Sequence, residues 1–219
     1  MKKLLQVLII CFPLQSFGQL SFIPDSTDSI FPFEDYQETE LRRPNMDSII
    51  FELRFWVNSD FGGFVQLTFN SDSLWNYRRG YLSKGYIRTM ELTSNQTNID
   101  SIWSELLTND ILELPNQNEI IYFYQKDGRT IKIGPEKEET ERLVHNTLDG
   151  IGYTVELFTK GNYRKYYYYN PITLNEHFKK SNWISFETEK FANVANIFTN
   201  SFALNEVFKA NLKEKLGKE

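Results

Sequence analysis

Cysteine is nearly absent. Cys11 is the only one in 219 residues, so no disulfide can form within the chain and apolar burial must hold the fold. Histidine is almost as scarce: His145 and His177 are the only imidazoles, which leaves few groups that titrate near neutral pH. The nucleophile turn G-x-S-x-G, the P-loop and the dinucleotide glycine fingerprint do not occur, which removes the chemistries those loops build. Positive charge is in deficit, with 24 Lys and Arg against 29 Asp and Glu. An acidic surface repels phosphate backbones and anionic headgroups, so nucleic-acid and lipid-surface binding are disfavoured.

What is present begins with an address. Lys2 and Lys3 precede an apolar run over residues 4–14, and Ser16 and Gly18 are small residues just before Gln19. This is the layout of a secretory signal, with cleavage predicted after Gly18. The run is shorter than the about 20 residues that cross a ~30 Å hydrocarbon core, and no second run approaches that length. The chain is therefore expected to be exported to the periplasm or the medium, with no transmembrane segment after signal removal. Ile9 and Ile10 precede Cys11, where a lipid-anchor site would carry a small residue. Loss of Lys2 and Lys3 leaves 22 basic residues against 29 acidic ones, a formal charge of about −7.

The domain plan has three parts: a signal over 1–18, an acidic leader over 19–48, and one α+β globular domain over 49–219. Pro24, Pro32 and Pro44 punctuate the leader and Asp25, Asp28, Glu34, Asp35, Glu38 and Glu40 charge it, which reads as a flexible or loosely docked tether. From residue 49 the pattern alternates. Phe51, Leu53, Phe55 and Val57 interleave with Glu52, Arg54 and Trp56, the signature of a half-buried strand. A return run over 64–69 makes a hairpin, and runs over 74–82 and 86–92 follow. Asp127-Gly128 between 119–125 and 130–133 is the strongest hairpin signal. Residues 153–158 and 163–169 form a further hairpin around Lys160-Gly161-Asn162.

Helical stripes separate these hairpins. Thr97 and Asp100 suggest a capped start, and Ile99, Ile102, Trp103 and Leu106 fall on one face. Pro135 and four glutamates open a second helix that ends at Gly150. A loop is expected from Pro171 through Trp183. Phe191, Val194, Ala195 and Phe198 mark a third helix, and Leu204, Val207 and Phe208 a fourth. Hairpins interleaved with three to four helices predict an antiparallel sheet with helices packed on one face.

Few residues carry chemistry. Glu141, His145 and Asp149 recur at i, i+4 and i+8 on the second helix, a polar row that could position a proton relay. A solvated helix face carrying ordinary helix pairs is the favoured reading, because no H-E-x-x-H pattern or second ligand cluster supports a metal. His177, beside Glu176 in an expected loop, reads as a surface histidine. No cofactor, metal or catalytic residue is assigned. The least ordinary stretch is Tyr163-Arg164-Lys165-Tyr166-Tyr167-Tyr168-Tyr169. Alternation places Tyr163, Tyr167 and Tyr169 on one side with Lys165, and Tyr166 and Tyr168 on the other with Arg164. With helices on one sheet face, some of these rings should stand near water, and Tyr122 and Tyr124 could extend that surface. Tyrosine suits protein and sugar contacts because it offers a flat ring and a hydroxyl.

Three features carry a resemblance: Gln19 after the cut site, a composition rich in Asn, Lys, Ile and Phe, and a Trp-centred helix over 100–107 that leads to Leu114-Pro115. In these the chain resembles the small exported proteins of unknown function common in Bacteroidota. The resemblance implies an envelope or secreted location and carries no catalytic residues. The function expected from the residues is a non-catalytic exported module that binds a protein or envelope glycan through the aromatic hairpin. The alternatives are an envelope hydrolase using carboxylates with His145, or an inhibitor or immunity-type protein.

Overall fold

In the computed structural model of the chain, residues 41, 44–83, 86–90, 98–134 and 150–217 are described. The signal-like segment, most of the leader, and the expected second helix with Glu141, His145 and Asp149 lie outside the described residues. The strands are β1 (Ile49–Asn58), β2 (Phe64–Asn70), β3 (Trp75–Ser83), β4 (Tyr86–Met90), β5 (Tyr122–Lys126), β6 (Arg129–Ile133), β7 (Gly152–Thr159), β8 (Asn162–Tyr169) and β9 (Trp183–Ile184). The helices are α1 (Ile99–Thr108), α2 (Pro171–Lys179), α3 (Phe186–Ser201) and α4 (Leu204–Leu216). The fold is α+β, as the interleaved hairpins predict.

One sheet has the order β4-β3-β2-β1-β7-β8, and every neighbouring pair is antiparallel. The β7–β8 hairpin returns to the free side of β1, so two segments distant in sequence share the sheet centre. A second, smaller sheet has the order β6-β5-β9. Its β5–β6 turn places Asp127 at φ 51° and Gly128 at φ 72°. Both values are left-handed, which is the type I′ geometry that matches strand twist.

The apolar face of the large sheet meets the helices. Phe55 stacks on Phe198 of α3 at 4.2 Å and 9°, and Phe51 meets Trp103 of α1 at 5.1 Å. The predicted stripes of α1 and α3 are the buried ones: Ile99, Ile102, Trp103 and Leu106, then Phe191, Val194, Ala195 and Phe198. Arg79, buried on β3, locks the α3–α4 joint. Its Nη1 donates to the carbonyls of Phe202 (2.7 Å) and Ala203 (2.8 Å), and its Nη2 to Glu206 (2.9 Å). A cation at the C-terminal carbonyls of α3 also complements the helix dipole.

Four local expectations are corrected. Asn98 caps α1, its Oδ1 accepting from the Ser101 amide at 3.2 Å, where the sequence pointed to Thr97. The expected loop after Asn170 is helix α2, started by Pro171 at a first-turn position where its missing N–H costs nothing. Trp183 and Ile184, read as loop, pair with β5 as strand β9. Strand β1 is buried on both faces, since Glu52 and Arg54 are almost wholly enclosed. The carbonyl of Leu41, itself buried, accepts from Arg54 Nη1 at 2.9 Å, so chain preceding β1 lies on the face expected to meet water.

Candidate functional site

Strand alternation splits the tyrosines of β8 into two groups. Tyr166 and Tyr168 turn toward the helices and are buried, not at a ligand surface. Tyr168 stacks on Phe191 at 3.9 Å and 7°. Tyr166 donates its hydroxyl to the Ile111 carbonyl at 2.6 Å. Burial raises both phenols well above the usual tyrosine pKa. Tyr122 is also buried, with its ring edge-on to Phe178 at 5.7 Å and its phenol pushed up to about 12 by burial. These three rings belong to the core because alternation aims them at α2 and α3. The hydroxyls of Tyr122 and Tyr168 find no hydrogen-bond partner among the described residues. Thr188 and Gln117 lie beside the Tyr122 hydroxyl but outside hydrogen-bonding geometry.

Tyr163, Tyr167 and Tyr169 turn the other way and are half-buried. The Tyr163 hydroxyl donates to Glu156 Oε1 at 3.0 Å, and Trp56 Nε1 donates to Glu156 Oε2 at 2.8 Å. The Tyr169 hydroxyl accepts from the Gly150 amide at 3.0 Å. Tyr167 lies across Gly152, where an added Cβ would stand 2.5 Å from its hydroxyl oxygen. Burial pushes the Tyr167 phenol up to about 12, with the Tyr169 hydroxyl adding to the shift. Three phenols, one indole and one carboxylate thus share a single face of the β1–β7–β8 region.

Beneath them lies a charged row that the sequence did not reveal. Register pairs Arg54 with Gln66 on one side and Glu156 on the other, and Glu156 with Lys165. Arg54 Nε donates to Glu52 Oε1 at 2.6 Å, and its Nη1 stands 4.0 Å from Glu156 Oε2. Its guanidinium lies 4.6 Å over the Phe158 ring. Glu52, Arg54, Glu156 and Lys165 are all buried. Two carboxylates and two cations compensate one another, so the row can hold this face rigid without net charge. Glu52 and Arg54 are visible among the apolar positions of β1, and Glu156 among those of β7, but nothing local marks them as buried.

Tyr124 belongs to the smaller sheet. It is half-buried beside Trp183, with ring centres 4.9 Å apart. It does not join the β8 rings. His177 sits exposed on α2, as expected of a surface histidine, with Glu176 also exposed. Among the described residues no group of three or more His, Cys, Asp or Glu side chains could hold a metal ion. No described helix is long and apolar enough to cross a membrane. No family model, curated protein or solved structure matches the chain.

Proposed function

We propose that this chain is a non-catalytic exported module that binds an envelope glycan or a partner protein through the outer face of the β7–β8 hairpin. The supporting observation is that Tyr163, Tyr167, Tyr169 and Trp56 are half-buried on one sheet face, with Tyr163 and Trp56 both donating to the buried Glu156 carboxylate. Flat rings beside fixed hydrogen-bonding groups suit a sugar or a peptide backbone, because each ring buries apolar area while its polar tip orients the ligand. The charged row under the rings preorganises them, which lowers the ordering cost of binding. The reading of the N-terminus as a signal supplies the compartment.

The test is co-sedimentation of the purified protein with isolated envelope glycan, alongside crosslinking to envelope protein extract followed by mapping of the linked residues. Retention or crosslinks that map to Tyr163, Tyr167 or Tyr169 support the reading. Absence of both, or links only at the helices, refutes it. N-terminal sequencing of protein recovered outside the cytosol should begin at Gln19, and a start at Met1 in the cytosolic fraction would contradict export.

A further inference from the structure

Two of the edge strands, β8 and β6, are finished differently. In an antiparallel hairpin with a two-residue loop, the residues flanking the loop exchange both hydrogen bonds, and every second residue then turns its N–H and C=O outward. In β8 this parity turns Tyr167 and Tyr169 outward, and their amides donate to Asn116 Oδ1 (3.0 Å) and Gln117 Oε1 (2.7 Å). Side-chain amides thus seal that edge at Tyr167 and Tyr169. Arg164, donating to the carbonyls of Leu112, Glu113 and Leu114, holds the sealing segment in place.

Strand β6 follows the same parity from its own two-residue loop. Lys126 and Arg129 flank the turn, so Thr130 and Lys132 face outward. No strand pairs with that edge among the described residues. Arg129, Thr130, Ile131 and Lys132 are all exposed, with Ile131 at 45%. The edge therefore presents two N–H and two C=O groups in a row, ready for a further strand.

The side chains select the occupant. Lys126, Arg129 and Lys132 outnumber the Asp127 of the turn, so the hairpin is net positive in a chain whose formal charge is −5. Cations on an edge ordinarily blunt it against pairing. That defence works against apolar or basic strands, and it reverses sign for an acidic one. A second copy is the competing occupant, since antiparallel pairing centred on Ile131 would set Lys132 opposite Thr130, but the net positive charge of the hairpin favours an acidic strand over a copy of itself. Ile131 pairs with Tyr124, and Tyr124 with Trp183, so an apolar strip runs beside the edge.

We propose that β6 receives an extended acidic segment of a partner protein by strand addition. Its backbone pairs with Thr130 and Lys132, its carboxylates lie on the face that carries Lys132, and its apolar side chains rest against Ile131 on the opposite face. This surface is separate from the outer face of the β7–β8 hairpin and does not depend on it.

The test uses the full chain and a fluorescent peptide alternating Glu and Val, with a Lys and Val peptide of equal length as control, read by anisotropy. The Glu peptide should bind and the Lys peptide should not. Thr130→Pro removes an outward N–H without touching the β5–β6 ladder, and it should weaken binding by about tenfold. Lys132→Glu should weaken it several-fold and reduce its dependence on salt. Equal binding of both peptides, no binding of the Glu peptide, or wild-type affinity in both variants would overturn the proposal. Self-association abolished by Thr130→Pro would also overturn it, by assigning the edge to a second copy.

Discussion

Tyr168 lies flat on Phe191, 3.9 Å between ring centres and 7° from parallel, with a hydroxyl that meets no partner among the described residues. The ring contributes to stability and the oxygen does not. Phe191→Ala should cost about 3–5 kcal/mol of unfolding free energy, the usual range for removing a buried aromatic ring. Tyr168→Phe should be neutral or stabilising, because it deletes a buried polar atom and keeps the packing. Denaturant titration of both variants measures the contrast, and a large loss in Tyr168→Phe would show that the hydroxyl is satisfied.

Arg54 should be far more costly to remove alone than together with its acid partner. Arg54→Met leaves the Glu52 carboxylate buried without its cation, a loss of about 3–5 kcal/mol. Glu52→Gln combined with Arg54→Met should recover much of that loss. A double-mutant cycle by denaturant unfolding measures the coupling. Simple additivity of the two changes would contradict the buried pair.

Alkaline pH should destabilise the fold in a defined window. Tyr122 and Tyr167 are held up to about 12 in the folded chain, against 10.0 for an ordinary phenol. Between these values the folded state binds more protons than the unfolded state, so stability falls as pH rises. The contribution is complete below pH 10 and is lost as pH approaches 12. Absorbance at a phenolate wavelength should show a late-titrating class in native protein that disappears in denaturant.

Gly152→Ala should disturb the outer face specifically. The added methyl group meets the Tyr167 hydroxyl at 2.5 Å and its ring at 2.9 Å, so the ring must leave β7. Secondary structure should persist in far-ultraviolet circular dichroism, while the Tyr167 ring resonances shift. An unchanged Tyr167 signal would refute the close approach.

Much of the fold was legible because its signals are local. Asp127-Gly128 fixes a turn through two adjacent dihedrals, and the α3 stripe follows from 3.6-residue periodicity. Alternation alone sorted Tyr166 and Tyr168 from Tyr163, Tyr167 and Tyr169. What alternation could not give was which side is enclosed more fully. Glu52 and Arg54 read as water-facing because polar residues alternate with apolar ones. Their burial depends on β7 returning to pair with β1, and on the chain at Leu41 crossing that face. Both are long-range events with no local mark. Helix α2 was missed because Asn170-Pro171 serves equally well as a stop and as a start.

The most direct measurement is hydroxyl-radical footprinting of the native protein, with and without isolated envelope glycan or the crosslinked partner. Oxidation should be greater at Tyr163, Tyr167 and Tyr169 than at Tyr122, Tyr166 and Tyr168, and added ligand should protect the first group alone. Equal oxidation of the two groups, or protection confined to other parts of the chain, would contradict the account.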